Sequence, residues 1–401
     1  MNTEALRTVA ATYGTPTYIF DVREVEARIR LLRSLLPEDT GLCFAVKANP
    51  FLIPYVAELV DRLEVCSPGE YEICIQEQIA PEKIVVSGVN KTYESMKRIL
   101  SYSKGAGIYT IESEEHAKIL RTLAEKNQMP LSVLIRLSSG NQFGVDAETF
   151  FRLAKEIQES PYLTLAGVHY YAGTQKRQSK LEKELDTLTA FAKTFEEETG
   201  TMLNELEYGA GMKVSYFIND SEKDQRESEP EPQIQALAEK LRTCAYGKKT
   251  IELGRFLVSM SGYYLTRVMD VKRTAQPGFL ILDGGIHQIN YYGWMMGMKQ
   301  PEIEVLAEKD GDEELFHLCG SLCTVNDVLA RDVALHDPQK GDVICFKRCG
   351  AYAATEGMAM FLSRELPQVL ICKTDGKIEK LRDQMETYLS VSYTHLEPTR
   401  R

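Results

Sequence analysis

The chain has 401 residues, 44% of them hydrophobic and 26% charged, and a net charge of −11. Such a composition is ordinary for a globular protein, and the length points to a large domain plus a smaller one. The acidic balance, with no Lys- or Arg-rich run, speaks against nucleic acid, and no apolar run approaches the ~20 residues of a membrane span. Nine cysteines without a metal-like CxxC pair, and no secretory leader, fit free thiols and no metal, in a cytoplasmic protein.

In chain order, a first β-type run covers Thr17–Asp21. Eight further runs follow, at 42–47, 63–66, 84–87, 107–111, 131–137, 163–170, 204–208 and 249–252. Between them lie amphipathic stretches. One repeats Leu181, Leu185, Leu188, Phe191 and Phe195 at helical spacing, and another opens at Ser113 with Glu114 and Glu115, which suit a helix N-terminus. Eight strands alternating with helices imply a closed (β/α)8 TIM-type barrel over 22–255. The polar segment 219–233, with Pro230 and Pro232, reads as an exposed loop and not as a domain boundary.

From Phe256 the texture changes to short β-runs broken by Gly, Pro and Asp, at 268–271, 279–283, 315–319, 342–348 and Gln368–Cys372. The Thr374-Asp375-Gly376-Lys377 stretch is a hairpin signal. Residues 256–389 therefore form an antiparallel β-sandwich or β-barrel domain, which residues 1–21 are expected to join. The tail 390–401 has no periodicity and is expected to be unstructured.

Chemistry in such a barrel belongs at the C-terminal ends of the strands. Here those ends carry Lys47, then Glu64 and Ser67, Arg136, His169 and Tyr171, the Gly209-Ala210-Gly211 turn, and Glu252 followed by Gly254-Arg255. A lysine closing a buried strand either snorkels to the rim or is used covalently. The glycine turn is either plain turn chemistry or a phosphate cradle, to which Arg255 adds a forked donor. A covalent lysine and a phosphate cradle in one barrel mouth together suggest pyridoxal phosphate (PLP).

These motifs resemble the alanine-racemase-like barrel decarboxylases (PLP fold type III), which include the diaminopimelate, ornithine and arginine decarboxylases. The resemblance runs from Thr15 to about Cys372. It rests on Phe44-Ala45-Val46-Lys47-Ala48-Asn49, Glu64-Val65-Cys66-Ser67-Pro68-Gly69-Glu70, Gln142-Phe143-Gly144 and the segment 167–174. Further on it rests on Glu252-Leu253-Gly254-Arg255, Cys319-Gly320-Ser321-Leu322-Cys323 with Asp327, and Gly350-Ala351-Tyr352. It implies an amino-acid decarboxylase in which Lys47 carries the cofactor as a Schiff base and Glu252 keeps the pyridine nitrogen protonated. By the same resemblance Thr174, Gly209, Ala210, Gly211, Gly254, Arg255 and Tyr352 hold the phosphate, and Glu64 and Arg136 orient the Lys47 region. Cys323 is implied as proton donor to the quinonoid and Asp327 as its companion at the substrate, both arriving from the second subunit of a homodimer. Taken singly, Cys323 reads equally as a packed thiol, Asp327 as a helix cap, Tyr352 as a half-buried aromatic, His169 as a structural histidine and His287 as a loop residue.

Three positions depart from the family pattern. Tyr171 stands where most relatives stack a histidine on the cofactor ring, and Lys213 replaces a glycine and is placed to approach the phosphate. The run Cys323-Thr324-Val325 lacks the acid that reads a distal amine, while Asn290-Tyr291-Tyr292-Gly293-Trp294 lacks the arginine for a distal carboxylate. Both argue against meso-diaminopimelate as substrate. Tyr171, Gln175, Cys323-Thr324 and Met360-Phe361-Leu362-Ser363 most resemble the branch exemplified by the decarboxylase of butirosin assembly. That branch acts on glutamyl groups tethered to an acyl carrier protein, so the substrate is a small amino acid or a carrier-tethered one. Two alternatives remain open. A racemase on the same barrel would carry an arginine where Glu252 stands, and a non-catalytic homologue would not need the full set of Lys47, Glu252, Arg255 and Cys323.

Overall fold

The computed structural model describes residues 1–274, 276–291 and 296–392. The chain divides into two compact units. One comprises Glu26–Val214 and Lys223–Leu257, and the other comprises Met1–Val25, Ser215–Glu222 and the chain from Val258 onward.

The first unit is a closed barrel. Its strands are β2 (Thr40–Ala45), β3 (Arg62–Val65), β4 (Ile84–Val86), β5 (Ile108–Ile111), β6 (Leu131–Arg136), β7 (Leu163–Tyr171), β8 (Glu205–Gly209) and β9 (Lys248–Leu253), paired in that order. The β2–β9 pairing, with Cys43 opposite Glu252, closes the ring in parallel register. Each strand coincides with one of the eight expected runs to within one or two residues. Helices cover the outer face while side chains fill the interior, so the strands read as nearly continuous apolar runs. The helix starts follow their caps. Ser113 accepts from the His116 amide at 3.2 Å, Ser67 from Glu70 at 3.1 Å with Pro68 in the first turn, and Asp146 from Thr149 at 2.8 Å. The helix Gln178–Thr199 carries the Leu181, Leu185, Leu188 and Phe195 stripe inward and ends at Gly200.

Segment 219–233 differs from expectation. It holds a helix, Glu222–Glu227, and the start of another, Pro230–Thr243, whose proline occupies the first turn. There the missing proline N–H costs nothing. Its front part, with Ser215–Glu222, clusters with the other unit, so the chain crosses between units where a plain loop was expected.

The second unit is a nine-stranded sheet built from β1 (Thr17–Asp21), β10 (Gly262–Lys272), β11 (Gly278–Leu282), β12 (Ile303–Val305), β13 (Glu313–Cys319), β14 (Val328–His336), β15 (Val343–Phe346), β16 (Gln368–Cys372) and β17 (Ile378–Arg382). The main path runs β14-β13-β11-β10-β1-β16-β17, with β15 on β10 and β12 on β15. The N-terminal run does join this sheet, and the 374–377 turn makes the β16–β17 hairpin. The pairing is mostly antiparallel, with two parallel exceptions, β1 with β16 and β11 with β13. Both pair strands distant in sequence, where no hairpin dictates direction. Strands β12 and β14 were not anticipated. The tail expected from residue 390 lies almost entirely outside the described residues. Among the described residues, no helix is long and apolar enough to cross a membrane.

In the barrel unit, His116 is buried and its Nδ1 accepts the Glu112 amide at 3.3 Å, which requires an unprotonated nitrogen. Burial first, then the Lys91 charge, lowers it to about 4. Because the folded value lies below the unfolded one, its contribution to stability is complete above about pH 6.5 and is lost as pH falls through about 4. Denaturant unfolding of a His116→Asn variant should lack the part of the acid destabilisation that the parent shows in that window; identical pH profiles would refute the assignment.

Candidate active site

Lys47 lies just past β2, in a short 3-10 turn, Val46–Ala48, closed by the Asn49 amide on the Val46 carbonyl. The strand was expected to run through it. It stops at Ala45, and the turn swings the lysine to the barrel mouth, where its side chain remains 35% exposed while its partners are buried. Nζ donates to Glu64 Oε2 at 2.5 Å and sits 3.5 Å from both Glu252 Oε1 and Cys66 Sγ. Strands β3 and β9 thus place two buried carboxylates on one amine.

Glu252 has a second partner. His169 Nε2 lies 3.0 Å from its Oε2 and, since an ionised carboxylate only accepts, Nε2 carries the proton. Burial pushes the Glu252 carboxyl up, but Lys47, the His169 hydrogen bond and Arg136 outweigh it and hold the group below the ordinary carboxylate value. His169 was read as a structural histidine. The structure makes it a direct partner of the acid. Arg136 is buried and donates to Glu112 Oε2 at 2.9 Å, with its guanidinium 4.7 Å from the Phe143 ring centre. Of the two residues expected to orient Lys47, Glu64 touches the amine, while Arg136 is held on the β5 side by Glu112.

Beyond β8 the turn Gly209-Ala210-Gly211 packs closely. A Cβ on Gly209 would lie 2.5 Å from Tyr171 Cδ2, and one on Gly211, whose φ is +58°, would lie 2.2 Å from the Gly173 carbonyl oxygen. Only glycine lets this backbone approach its neighbours, as a turn whose N–H groups face an anion requires. Thr174 is exposed beside it, and half-buried Tyr171 ends β7. A Cβ on Gly254 would meet Ala48 at 2.9 Å, so the turn leading to Arg255 packs against the Lys47 turn. Lys213 does not approach the glycine turn. Its Nζ bonds Asp224 at 2.5 Å and Glu227 at 2.9 Å, carboxylates of the helix that replaced the expected loop.

A residue the sequence reading missed stands behind this turn. Lys176 is buried, and its Nζ donates to Glu184 Oε2 at 2.7 Å and to the Gly209 carbonyl at 2.9 Å, while Tyr208 donates to the same Glu184 oxygen at 2.7 Å. Glu112 was missed as well; its other oxygen lies 3.8 Å from buried Lys91. Either would have needed the signal that a charge within an apolar run demands a partner.

The remaining expected residues belong to the β-sheet unit. Cys323 is exposed on the loop between β13 and β14, beside Val325 at 91% exposure. Asp327 is buried, and its carboxylate accepts the Ile286 amide at 2.8 Å and the Leu322 amide at 2.7 Å, clasping two loops. Tyr352 is half-buried with a left-handed φ of +64°. His287 is buried, and burial lowers it to about 4. Of segment 290–294, Tyr292, Gly293 and Trp294 lie outside the described residues. All nine cysteines are free.

The barrel residues fit PLP on the structure's own terms: an amine flanked by acids at the mouth, and a turn with room for backbone only. The sequence profile of the pyridoxal-dependent decarboxylases, pyridoxal binding domain, matches residues 22–259. Diaminopimelate decarboxylase of Pseudomonas aeruginosa is 30% identical over 380 residues, covering 87% of this chain and 85% of that protein. L-glutamyl-[BtrI acyl-carrier protein] decarboxylase of Niallia circulans is 26% identical over 413 residues, covering 95% and 94%. Among solved structures, a diaminopimelate decarboxylase from M. jannaschi superposes with a TM-score of 0.85 at 21% identity, covering 98% of this chain and 94% of that one, and so shares the fold.

A Gly211→Ala substitution should raise the Kd for PLP by roughly tenfold or more, because the added methyl meets backbone oxygen. Gly200→Ala shares a left-handed φ of +67° but finds open space, so it should lower stability slightly and leave PLP affinity unchanged. Equal PLP affinity in the two variants would remove the turn from the phosphate site. With a matching profile across the barrel, a relative at 30% identity over most of both chains and a strand-end lysine set between two acids, this chain belongs to the pyridoxal-dependent decarboxylases and is a PLP enzyme that removes the carboxyl group of an amino acid.

Proposed function

We propose that Lys47 holds PLP covalently and that the preferred substrate is an amino acid, free or carrier-tethered, other than meso-diaminopimelate. The observation that carries the first part is the Lys47 ε-amine set between Glu64 and Glu252 at the mouth of the barrel. When bound, PLP supplies the electron sink that accepts the bonding pair as CO2 leaves. The chain's own groups then have separable tasks. Glu252, kept anionic by its neighbours, faces the ring nitrogen and retains a proton there. Gly209, Ala210, Gly211, Gly254 and Arg255, with Thr174 and Tyr352, bind the phosphate. Tyr171 lies against the ring, and Glu64 orients the lysine. Cys323 returns a proton to the carbon that lost CO2, and Asp327 shapes the loop that carries it. The exposure of Cys323 and Val325 supports a loop that serves the site of a second copy in a homodimer.

Two sequence features support the substrate reading, although the Pseudomonas relative is named a diaminopimelate decarboxylase. Cys323-Thr324-Val325 offers no carboxylate to a distal ammonium, and 290–294 offers no guanidinium to a distal carboxylate. The Niallia relative, named for a glutamyl group on an acyl carrier protein, supports a tethered substrate. A racemase is disfavoured by Glu252, because an ionised acid at the ring nitrogen strengthens the electron sink that decarboxylation needs.

Two measurements test these points. CO2 release should be screened across acidic and basic amino acids in both enantiomers, with loss of optical activity followed in parallel. Without a charge-assisted pair at the distal end, meso-diaminopimelate should turn over on the order of tenfold or more below the best substrate. Comparable turnover overturns the substrate reading, and racemisation without CO2 release overturns the reaction. Second, Lys47→Ala should lose covalent cofactor and turnover together, and Cys323→Ala should be slow. Mixing the two variants should restore up to about a quarter of the parent activity if the loop serves a neighbouring subunit. No recovery on mixing would place Cys323 in its own chain's site or outside it.

A further inference from the structure

The barrel interior below Lys47 holds a second set of charges that the reading above leaves unused. Periodicity puts Glu205, Glu207 and Gly209 on one face of β8, and Arg62 and Glu64 on one face of β3. Arg62 Nη1 donates to Glu207 Oε2 at 2.9 Å and also pairs with Glu205. Glu207 is directly opposite His169 in the β7–β8 register, and donor atoms of His169, Glu207 and Glu252 all lie within 4.8 Å of one another. All three residues are buried. Two polar atoms in this nest lack a partner, Glu207 Oε1 and His169 Nδ1. A buried polar atom without a partner costs about 1–3 kcal/mol, so two complementary ones side by side call for a shared proton.

We propose that Glu207 and His169 are positioning residues that act through Glu252, forming a buried file Arg62–Glu207–His169–Glu252 in which one proton is shared between Glu207 Oε1 and His169 Nδ1. Arg62 fixes Glu207 from below, the shared proton fixes the imidazole, and the imidazole fixes Glu252 by its Nε2–H. The state of the acid facing the cofactor is thereby set from beneath the barrel mouth. The inference rests on the proposed placement of Glu252 at the ring nitrogen. The proton balance is closed: the proton moves between one oxygen and one nitrogen, and no other bond changes. Supporting this geometry, burial foremost raises Glu207 to about 7, against the opposing pull of Arg62 and His169 and with Glu252 adding to the rise. The charged and titratable groups around the file are Cys43 on β2, Arg62 and Glu64 on β3, Arg136 on β6, Glu205 on β8, and Lys47 and Lys176 near the mouth.

The test uses the holoenzyme and the visible absorbance of its bound PLP, titrated between about pH 6 and 9, together with PLP affinity and turnover. Glu207→Gln keeps the shape and removes the anion, so the spectral midpoint should fall by about one pH unit with PLP affinity unchanged. His169→Gln should produce a similar shift, and the double variant should shift no further than His169→Gln alone, because both act along one path. A Glu207→Gln midpoint within about 0.2 unit of the parent, while Glu252→Gln moves it, would reduce His169 and Glu207 to packing residues. If Glu252→Gln itself leaves spectrum and turnover unchanged, the placement of Glu252 is wrong and this inference goes with it, a separate pattern. Should Glu207→Gln fail to fold, nitrogen-15 histidine spectra of the parent holoenzyme decide. The His169 Nε2 should stay protonated while Nδ1 shifts with a midpoint near 7; a flat Nδ1 response overturns the proposal.

Discussion

An ε-ammonium cannot sit at the edge of an apolar barrel without a counter-charge, and a lone buried carboxylate beside it is no better placed. The Lys47 group meets this constraint by arrangement across strands. Glu64 from β3 and Glu252 from β9 flank the strand that delivers the lysine, and the barrel's closure between β2 and β9 is what makes Glu252 a neighbour at all. Each acid is then compensated in turn, Glu252 by His169 and Lys47, and the next layer down by Arg62. Charges in a low-dielectric interior survive only when every member has a partner. The polar filling of this barrel is therefore one connected set, and its geometry is fixed by parallel register more than by any single residue.

The barrel was legible because helix and strand periods alternate cleanly in its sequence and its strands are apolar runs of the right length. The strand-end rule then exposed Lys47, Glu64, Arg136 and Glu252 without any distance information. What remained hidden has a common physical cause. Glu207, Glu112 and Lys176 are charged residues whose partners lie on other elements, and a short charged segment read alone looks like a solvated edge. The helix beginning at Pro230 was missed for a related reason: proline and acid content mark a loop and a helix N-terminus alike. Strand β14 was passed over because its burial alternates, with Arg331 and Asp332 exposed between buried neighbours.

The departures from the family pattern also acquire physical content. Lys213, which stands where a glycine is usual, is drawn outward by Asp224 and Glu227, so the extra cation serves a helix and not the glycine turn. The cation nearest that turn is Lys176, which grips the Gly209 carbonyl from behind. A carbonyl held on the inner side directs the neighbouring N–H groups to the opposite side. The turn is thus shaped by a buried ion pair as well as by its glycines.

The first strand of the chain has a further consequence for how the molecule is made. β1 lies between β10 and β16, so a segment ending at Asp21 finds its neighbours only after residues 262 and 368 exist. During synthesis the barrel segments are complete and able to close while this strand still waits, and its parallel partner arrives almost at the end. Until then the five buried side chains of Thr17–Asp21 have nothing to bury against. The last hundred residues therefore do more than add a lobe: they give shelter to the beginning of the chain, and a ribosome that stalls before them releases a finished barrel trailing an apolar, unpaired edge.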